Sequence, residues 1–281
     1  MQWRVGTPID ARLEIFQRMH AATETSMDNE SDMRTTLMAN GLLVALAMMI
    51  VMPNRSLAHE PPVLQVITIE KDVNRPPFLE EVRNLREVAI RLAPDVNFQV
   101  WDGYFAGSYS GVLSVLIEYP SFAVMAATMN NWHADSDYMR LAPVLSSAGG
   151  NVQANSLLVD VTPFPVAKIE VTKKRSTGAV MMLVPVQLTG DIHAYLALLE
   201  RLNGVAQRVA PDAKMRVWQG FLSGSNTGMI SVLVEYQSMA KMVAINDVLQ
   251  IDPDWLGIME ELESSGREIL ARSLLKDVTT Q

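Results

Sequence analysis

The residues with the most chemistry to offer in this chain occur in pairs. Segments 112–119 and 229–236 each read as a β-strand, and alternation along a strand sorts side chains onto two faces. Ser114, Leu116 and Glu118 share one face of the first segment, and Ser231, Leu233 and Glu235 share the same face of the second. Upstream, Gln99, Trp101 and Gly103 face together, matched by Arg216, Trp218 and Gly220. A carboxylate on an enclosed face can act as a general base if burial raises its pKa. Glu118 and Glu235 are therefore the candidate catalytic residues. Trp101, Ser114, Glu118, Arg216, Trp218, Ser231 and Glu235 are the candidate ligand-binding set. A register that set Trp101 beside Glu118, and Trp218 beside Glu235, would give an indole and a carboxylate at each of two pseudo-symmetric ends. The competing reading is structural. The glutamates then end their strands in solvent or bond a neighbouring backbone, and the tryptophans anchor a core.

Other chemistries find little support. The chain has no cysteine, which excludes disulfides, thiolate catalysis, iron–sulfur clusters and cysteine-bound zinc. Gly107-Ser108-Tyr109-Ser110-Gly111 has tyrosine where a nucleophile elbow needs serine, and it joins two strands, so its glycines read as hairpin residues. Gly224-Ser225-Asn226-Thr227-Gly228 reads the same way. No phosphate loop, dinucleotide fingerprint or metalloprotease motif is present. His133, expected in a loop between helices, and His193, near a helix start, have no metal-ligand spacing and read as surface residues. Asp135, Asp137, Asp252 and Asp254 lack the remaining ligands of a calcium loop and read as helix caps. No metal and no cofactor is expected.

These residues are paired because the chain matches itself. Shifted by 117, residues 85–162 align without a gap: Ala93-Pro94-Asp95 falls on Ala210-Pro211-Asp212, Glu118-Tyr119 on Glu235-Tyr236, and Asp160-Val161-Thr162 on Asp277-Val278-Thr279. Each copy reads as strand, helix, two strands around a glycine-rich turn, a split helix and a last strand, the β-α-β-β-α-β ferredoxin-like order. Phe78, Val82, Leu85, Ala89 and Leu92 give the first helix its apolar stripe, and Ile192, Leu196, Leu199, Leu202 and Ala206 do so in the second copy, capped by Asp191. Ser121 and Ser238 start the next helices, and a further helix runs from about Asp137 to Ala148. Pro185 falls in what should be a central strand, so a bulge or strand end is expected there.

A four-stranded sheet covered by helices on one side must bury its other side. The fold expected is α+β, with two tandem repeats whose antiparallel sheets pack face to face as an intrachain barrel. The mixed face bearing Glu118 and Glu235 should look inward. The chain of 281 residues is 49% hydrophobic and 19% charged, a globular composition. Its net charge of −8 argues against a broad basic surface for nucleic acid.

Residues 42–52 (LLVALAMMIVM) form an apolar run too short to span a bilayer comfortably but suited to the core of a signal peptide, with Ser56-Leu57-Ala58 as its cleavage site. Residues 1–32 are acidic and read as a disordered tail or a mis-called start, with 33–58 the signal peptide. Residues 59–163 and 179–281 are the two repeats, joined by an exposed linker at 164–178 that carries Lys173-Lys174-Arg175. The alternatives are a membrane anchor, which would be the chain's one contact with a membrane, and a soluble cytoplasmic protein.

The phrases SVLIEYPSFAVM and SVLVEYQSMAKM, each followed by DSDYMRLAPVLSSAG or DPDWLGIMEELESSG, resemble the dimeric α+β barrel superfamily of NIPSNAP-like, EthD-like and antibiotic-biosynthesis-monooxygenase-like proteins. The resemblance covers nearly all of residues 62–280. It implies barrel closure, and the superfamily includes monooxygenases, haem enzymes, isomerases and proteins with no assigned activity. Three functions stay open. The first is an exported protein, periplasmic or secreted, that binds a small, largely apolar molecule in the barrel. The second is a cofactor-independent monooxygenase- or isomerase-like enzyme, and the third a structural protein whose contact surface would be the acidic helix 254–263. One chain holding both halves would be a monomeric pseudo-dimer, or a homo-oligomer through its outer helices. If the leader is cleaved, native mass spectrometry of exported protein will give the mass of a chain beginning at His59; an intact leader would point to the anchor.

Overall fold

A computed structural model describes residues 60–69, 75–107, 110–145, 152–165 and 178–279. The tail, the leader and most of the linker lie outside these residues. The first half runs β1 (Val63–Ile69), α1 (Arg75–Leu92), β2 (Asn97–Phe105), β3 (Leu113–Tyr119), α2 (Phe122–Ala134), α3 (Ser136–Leu141) and β4 (Val152–Asp160). The second runs β5 (Val180–Leu188), α4 (Ile192–Val209), β6 (Lys214–Leu222), β7 (Ile230–Tyr236), α5 (Met239–Leu249), α6 (Pro253–Ser264), a short β8 (Arg267–Ile269) and β9 (Ser273–Asp277).

Eight strands close into one antiparallel barrel. The order is β4-β1-β3-β2 in the first half and β9-β5-β7-β6 in the second. The two halves therefore do more than pack face to face. Their edges pair, β4 with β6 and β2 with β9, so no long edge is left open. Both seams use the same device. At one, Val161 N–H donates to Val217 O (2.9 Å), Val217 N–H donates to Thr162 Oγ1 (2.9 Å), and Thr162 N–H donates to Asp160 Oδ1 (2.8 Å). At the other, Val278 N–H donates to Val100 O (3.0 Å), Val100 N–H to Thr279 Oγ1 (2.9 Å), and Thr279 N–H to Asp277 Oδ1 (2.8 Å). The repeated Asp-Val-Thr triplets are thus seam clamps.

The helices cover the outside of the barrel. Val82, Leu85 and Ala89 of α1 pack with Val100, Val115, Ile117 and Tyr119, beneath Trp132, whose indole N–H donates to Ala89 O (3.1 Å). In the second half, α4 buries Tyr195, Leu199, Leu202 and Val205 against Val217, Ile230 and Val232. The buried face of α4 is centred on Tyr195 and Val205, with the expected Leu196 and Ala206 at its flanks. Capping follows the residues anticipated except at Asp137 and Asp254, which lie in the first turns of α3 and α6 and pair with Arg140 and Arg208 instead. Ser121, Asp135, Asp191, Ser238 and Asp252 each accept a backbone N–H of the helix they open. The helix expected over 137–148 is shorter, giving way to a 3₁₀ turn over Ala142–Leu145. His133 lies in the last turn of α2, not in a loop.

Pro185 is neither at a bulge nor at a strand end. It sits inside β5, in unbroken register with β7 opposite Ser231. Its carbonyl accepts from Leu270 N–H (3.0 Å), so its missing donor faces the same flank. That flank is where β5 changes partner: residues 180–183 pair with β9 and residues 186–188 with β8. Proline falls in the gap between the two ladders, where no acceptor waits.

Thr279→Val keeps the shape of a seam clamp but leaves the buried Val100 N–H unpaired. It should cost about 2 kcal/mol, read from the urea midpoint.

Candidate functional site

The barrel interior holds the face expected to look inward. Leu64, Trp101, Leu116, Leu158, Ala179, Met181, Trp218, Leu233 and Leu275 form one buried cluster separate from the two helix-side cores. Trp101 and Trp218 have 0% and 2% of their surface exposed, so both indoles are packing groups at the centre. Ser114 and Ser231 face them directly across the β2–β3 and β6–β7 ladders.

That register is not the one that would set each indole beside a carboxylate. Glu118 lies opposite Asn97 and Glu235 opposite Lys214, each four residues along from the tryptophan. The expected placement at opposite ends is corrected as well. Every neighbouring pair of strands is antiparallel, and four such steps lead from β3 through β2, β9 and β5 to β7. β3 and β7 therefore run the same way, and Glu118 and Glu235, near their C-terminal ends, lie at the same mouth of the barrel. Asp160 and Asp277, closing β4 and β9, lie at that mouth too. Among the described residues these carboxylates do not converge into a metal-binding group, and His133 and His193 are both exposed on helices outside the barrel.

One half of the mouth carries a built charge cluster. Arg216 reaches over β4 and β1 to the first half of the chain. Its Nη1 donates to Glu118 Oε1 (3.0 Å) and its Nη2 donates to Asp160 Oδ2. Its guanidinium also lies 4.7 Å from the Trp218 ring centroid, a cation–π contact. Side-chain exposure is 11% for Arg216, 15% for Glu118 and 11% for Asp160, so the cluster is mostly but not wholly closed to water. Asp160 is shared: Oδ1 holds the seam clamp and Oδ2 holds the arginine. Sequence reasoning named Glu118 and Arg216 but passed over Asp160, although its place in the repeated triplet was visible. At the equivalent position in the other half stands Gln99, whose Oε1 accepts from Trp101 Nε1 (2.8 Å). The same site on the strand therefore supports its tryptophan by a neutral hydrogen bond in one half and by a cation in the other.

Burial pushes the Glu118 carboxyl above its ordinary value of 4.5, against the pull of Arg216 and, more weakly, Asn97; the Asp160 charge adds to the rise. Two buried donors remain without a hydrogen-bond partner: Arg216 Nε and Asn97 Nδ2, the latter near the same carboxylate but outside bonding geometry. A buried unpaired donor costs about 1–3 kcal/mol. Chemically, the mouth offers a desolvated carboxylate beside a cation and two donors ready for an acceptor oxygen.

No protein-family model and no curated protein matches the chain. Solved structures do. A candidate monooxygenase from Lactobacillus acidophilus NCFM superposes with a TM-score of 0.54 at 10% identity, over 78% of this chain and 94% of its own. A candidate monooxygenase from Fusobacterium nucleatum subsp. nucleatum superposes with a TM-score of 0.51 at 8% identity, over 78% and 93%. This chain shares their α+β barrel fold. The match spans nearly the whole of each neighbour, so the complete barrel is common to them, not one half of it. At such identity the likeness reaches the fold and no further.

Arg216→Met should cost about 3–5 kcal/mol, because it strands two buried carboxylates. Glu118→Gln should act differently with pH. The folded-state value of Glu118 is raised, so its favourable contribution is complete below the ordinary 4.5 and is lost as pH rises through the displaced titration. Urea melts of wild type and Glu118→Gln across pH 4 to 8 should therefore show the variant gaining relative stability as pH rises.

Proposed function

We propose that the chain is a cofactor-independent enzyme of the monooxygenase or isomerase kind, acting on a small, largely apolar molecule at the barrel mouth. The observation that carries this reading is the Glu118–Arg216–Asp160 cluster, enclosed against Trp218 with two buried donors left over. A carboxylate of raised pKa is matched to taking a proton from carbon beside a carbonyl. The electron pair left behind moves onto the carbonyl oxygen. Arg216 Nε and Asn97 Nδ2 can donate to that oxyanion in a site of low water content. Returning the proton from Glu118 to another carbon completes an isomerisation. In an oxygenase, dioxygen as diffusible co-reactant would take the electron pair instead. Asp160 is a positioning residue, since it touches only the arginine and the seam. Trp101, Trp218, Ser114, Ser231 and Leu233 form the packed floor beneath the site, and Glu235 stands on the opposite side of the mouth.

The reading extends to organisation. The two halves are a tandem duplication of a ferredoxin-like unit; the equal strand orders and the constant offset of 117 between equivalent residues support it. Export after cleavage behind Ala58 rests on the residues of the leader alone. Pure binding of an apolar molecule is the second reading, favoured by the apolar cluster of Leu64, Leu116, Leu158, Met181, Leu233 and Leu275 inside the barrel.

The test is proton exchange on an enolisable apolar ketone. Purified protein and 2-tetralone in D₂O, followed by NMR, should show exchange beside the carbonyl about 100-fold above buffer. Rate should rise with pH through a titration above 4.5, and Glu118→Gln should abolish the enhancement while Glu235→Gln keeps most of it. Exchange equal in wild type and Glu118→Gln would remove Glu118 as the base.

A further inference from the structure

Outside the barrel, the second half has a pocket beside the end of α4 and the start of α5. It has a volume of 170 Å³ and is lined by Val209, Ala210, Pro211, Asp212, Ala213, Tyr236, Gln237, Lys241 and Ile245. At about 30 Å³ per water, that is room for a handful of waters or one small organic molecule.

The comparison of Tyr119 with Tyr236 explains why it matters. The two tyrosines end β3 and β7 at equivalent ladder positions, opposite Val63 and Val180. Tyr119 is fully satisfied: its hydroxyl donates to Gln65 Oε1 (3.0 Å), and its ring lies 6.1 Å from that of Trp132. The residue of β5 equivalent to Gln65 is Met182, and the residue of α5 equivalent to Trp132 is Leu249. Methionine offers no comparable acceptor, and leucine covers less ring. Tyr236 is 5% exposed, and its hydroxyl, which makes no hydrogen bond with any described residue, keeps access to water. Burial pushes its titration up, so at neutral pH it remains a donor.

The charges on the two sides of the pocket differ in sign. Lys241 belongs to the first turn of α5, behind the Ser238 cap, where the helix end itself favours an anion. Asp212 follows the C-terminus of α4, where the helix end favours a cation. Asp212 and Lys241 line one pocket without forming an ion pair with each other. Between them the wall is apolar: Val209, Ala210, Ala213 and Ile245.

We propose that this pocket binds a small zwitterion, an apolar α-amino acid, with its carboxylate on Tyr236 and Lys241 and its ammonium group on Asp212. The site is separate from the barrel mouth and does not depend on the reading given for it. Isothermal titration of the full chain with L-valine tests it, with isovalerate and isobutylamine as probes carrying one charge each. L-valine should bind, and each single-charge probe should bind at least about 10-fold more weakly. Tyr236→Phe, Lys241→Ala and Asp212→Ala should each weaken valine about 10-fold or more, with melting transitions that confirm the fold. Glu118→Gln should leave valine binding unchanged. No heat with valine at about 10 mM, equal binding of isovalerate, or variants that bind as wild type does would each overturn the proposal.

Discussion

Barrel closure is the constraint on which the rest of this molecule depends. A four-stranded sheet has two open edges and one uncovered face, and both are costly in water. Pairing β4 with β6 and β2 with β9 removes all four edges at once, and the same step encloses both uncovered faces. The seams are held by side chains as well as by ladder bonds. Thr162 and Thr279 each accept a backbone N–H from the facing strand, and Asp160 and Asp277 each fix the threonine backbone. Because Asp160 also grips Arg216, the geometry of the charge cluster is tied to the closing of the seam. The ion pair forms only where the barrel does.

The inner layer shows how a polar group is kept in an apolar space. Arg216 is offered two carboxylates and an indole face, so its charge is compensated several times over. Glu118 has one strong partner and loses water, and desolvation dominates its titration. The cluster is overcompensated for the cation and undercompensated for the acid. Such an imbalance costs stability, and sites of chemistry are where proteins commonly carry it.

Much of this was legible from period-two alternation. Leu113, Val115, Ile117 and Tyr119 fall on the helix side and Ser114, Leu116 and Glu118 inside, as the segment reads, because one face of a covered sheet must be the more apolar. Caps such as Asp135 and Asp252 were legible because short acceptors before a helix have few other uses. Register was not legible. The turn that joins β2 to β3 decides whether Glu118 meets Trp101 or Asn97, and a glycine-rich loop allows several registers. Nor was the partner of Glu118 visible. Arg216 is 98 residues away along the chain, and only the closed order of strands brings the two together. The role of Pro185 was hidden for a related reason, since it depends on where β9 ends and β8 begins.

Both seams lie within one covalent chain. In a two-subunit barrel every inward position occurs twice, and the wall comes apart on dilution. Here neither holds. Gln99 and Arg216 occupy matching places and differ, so the cation set beside Glu118 and Asp160 is replaced by a neutral amide in the half that carries Glu235 and Asp277. Closure of the barrel itself needs no second chain, so the step that forms the enclosed cluster is not driven by protein concentration.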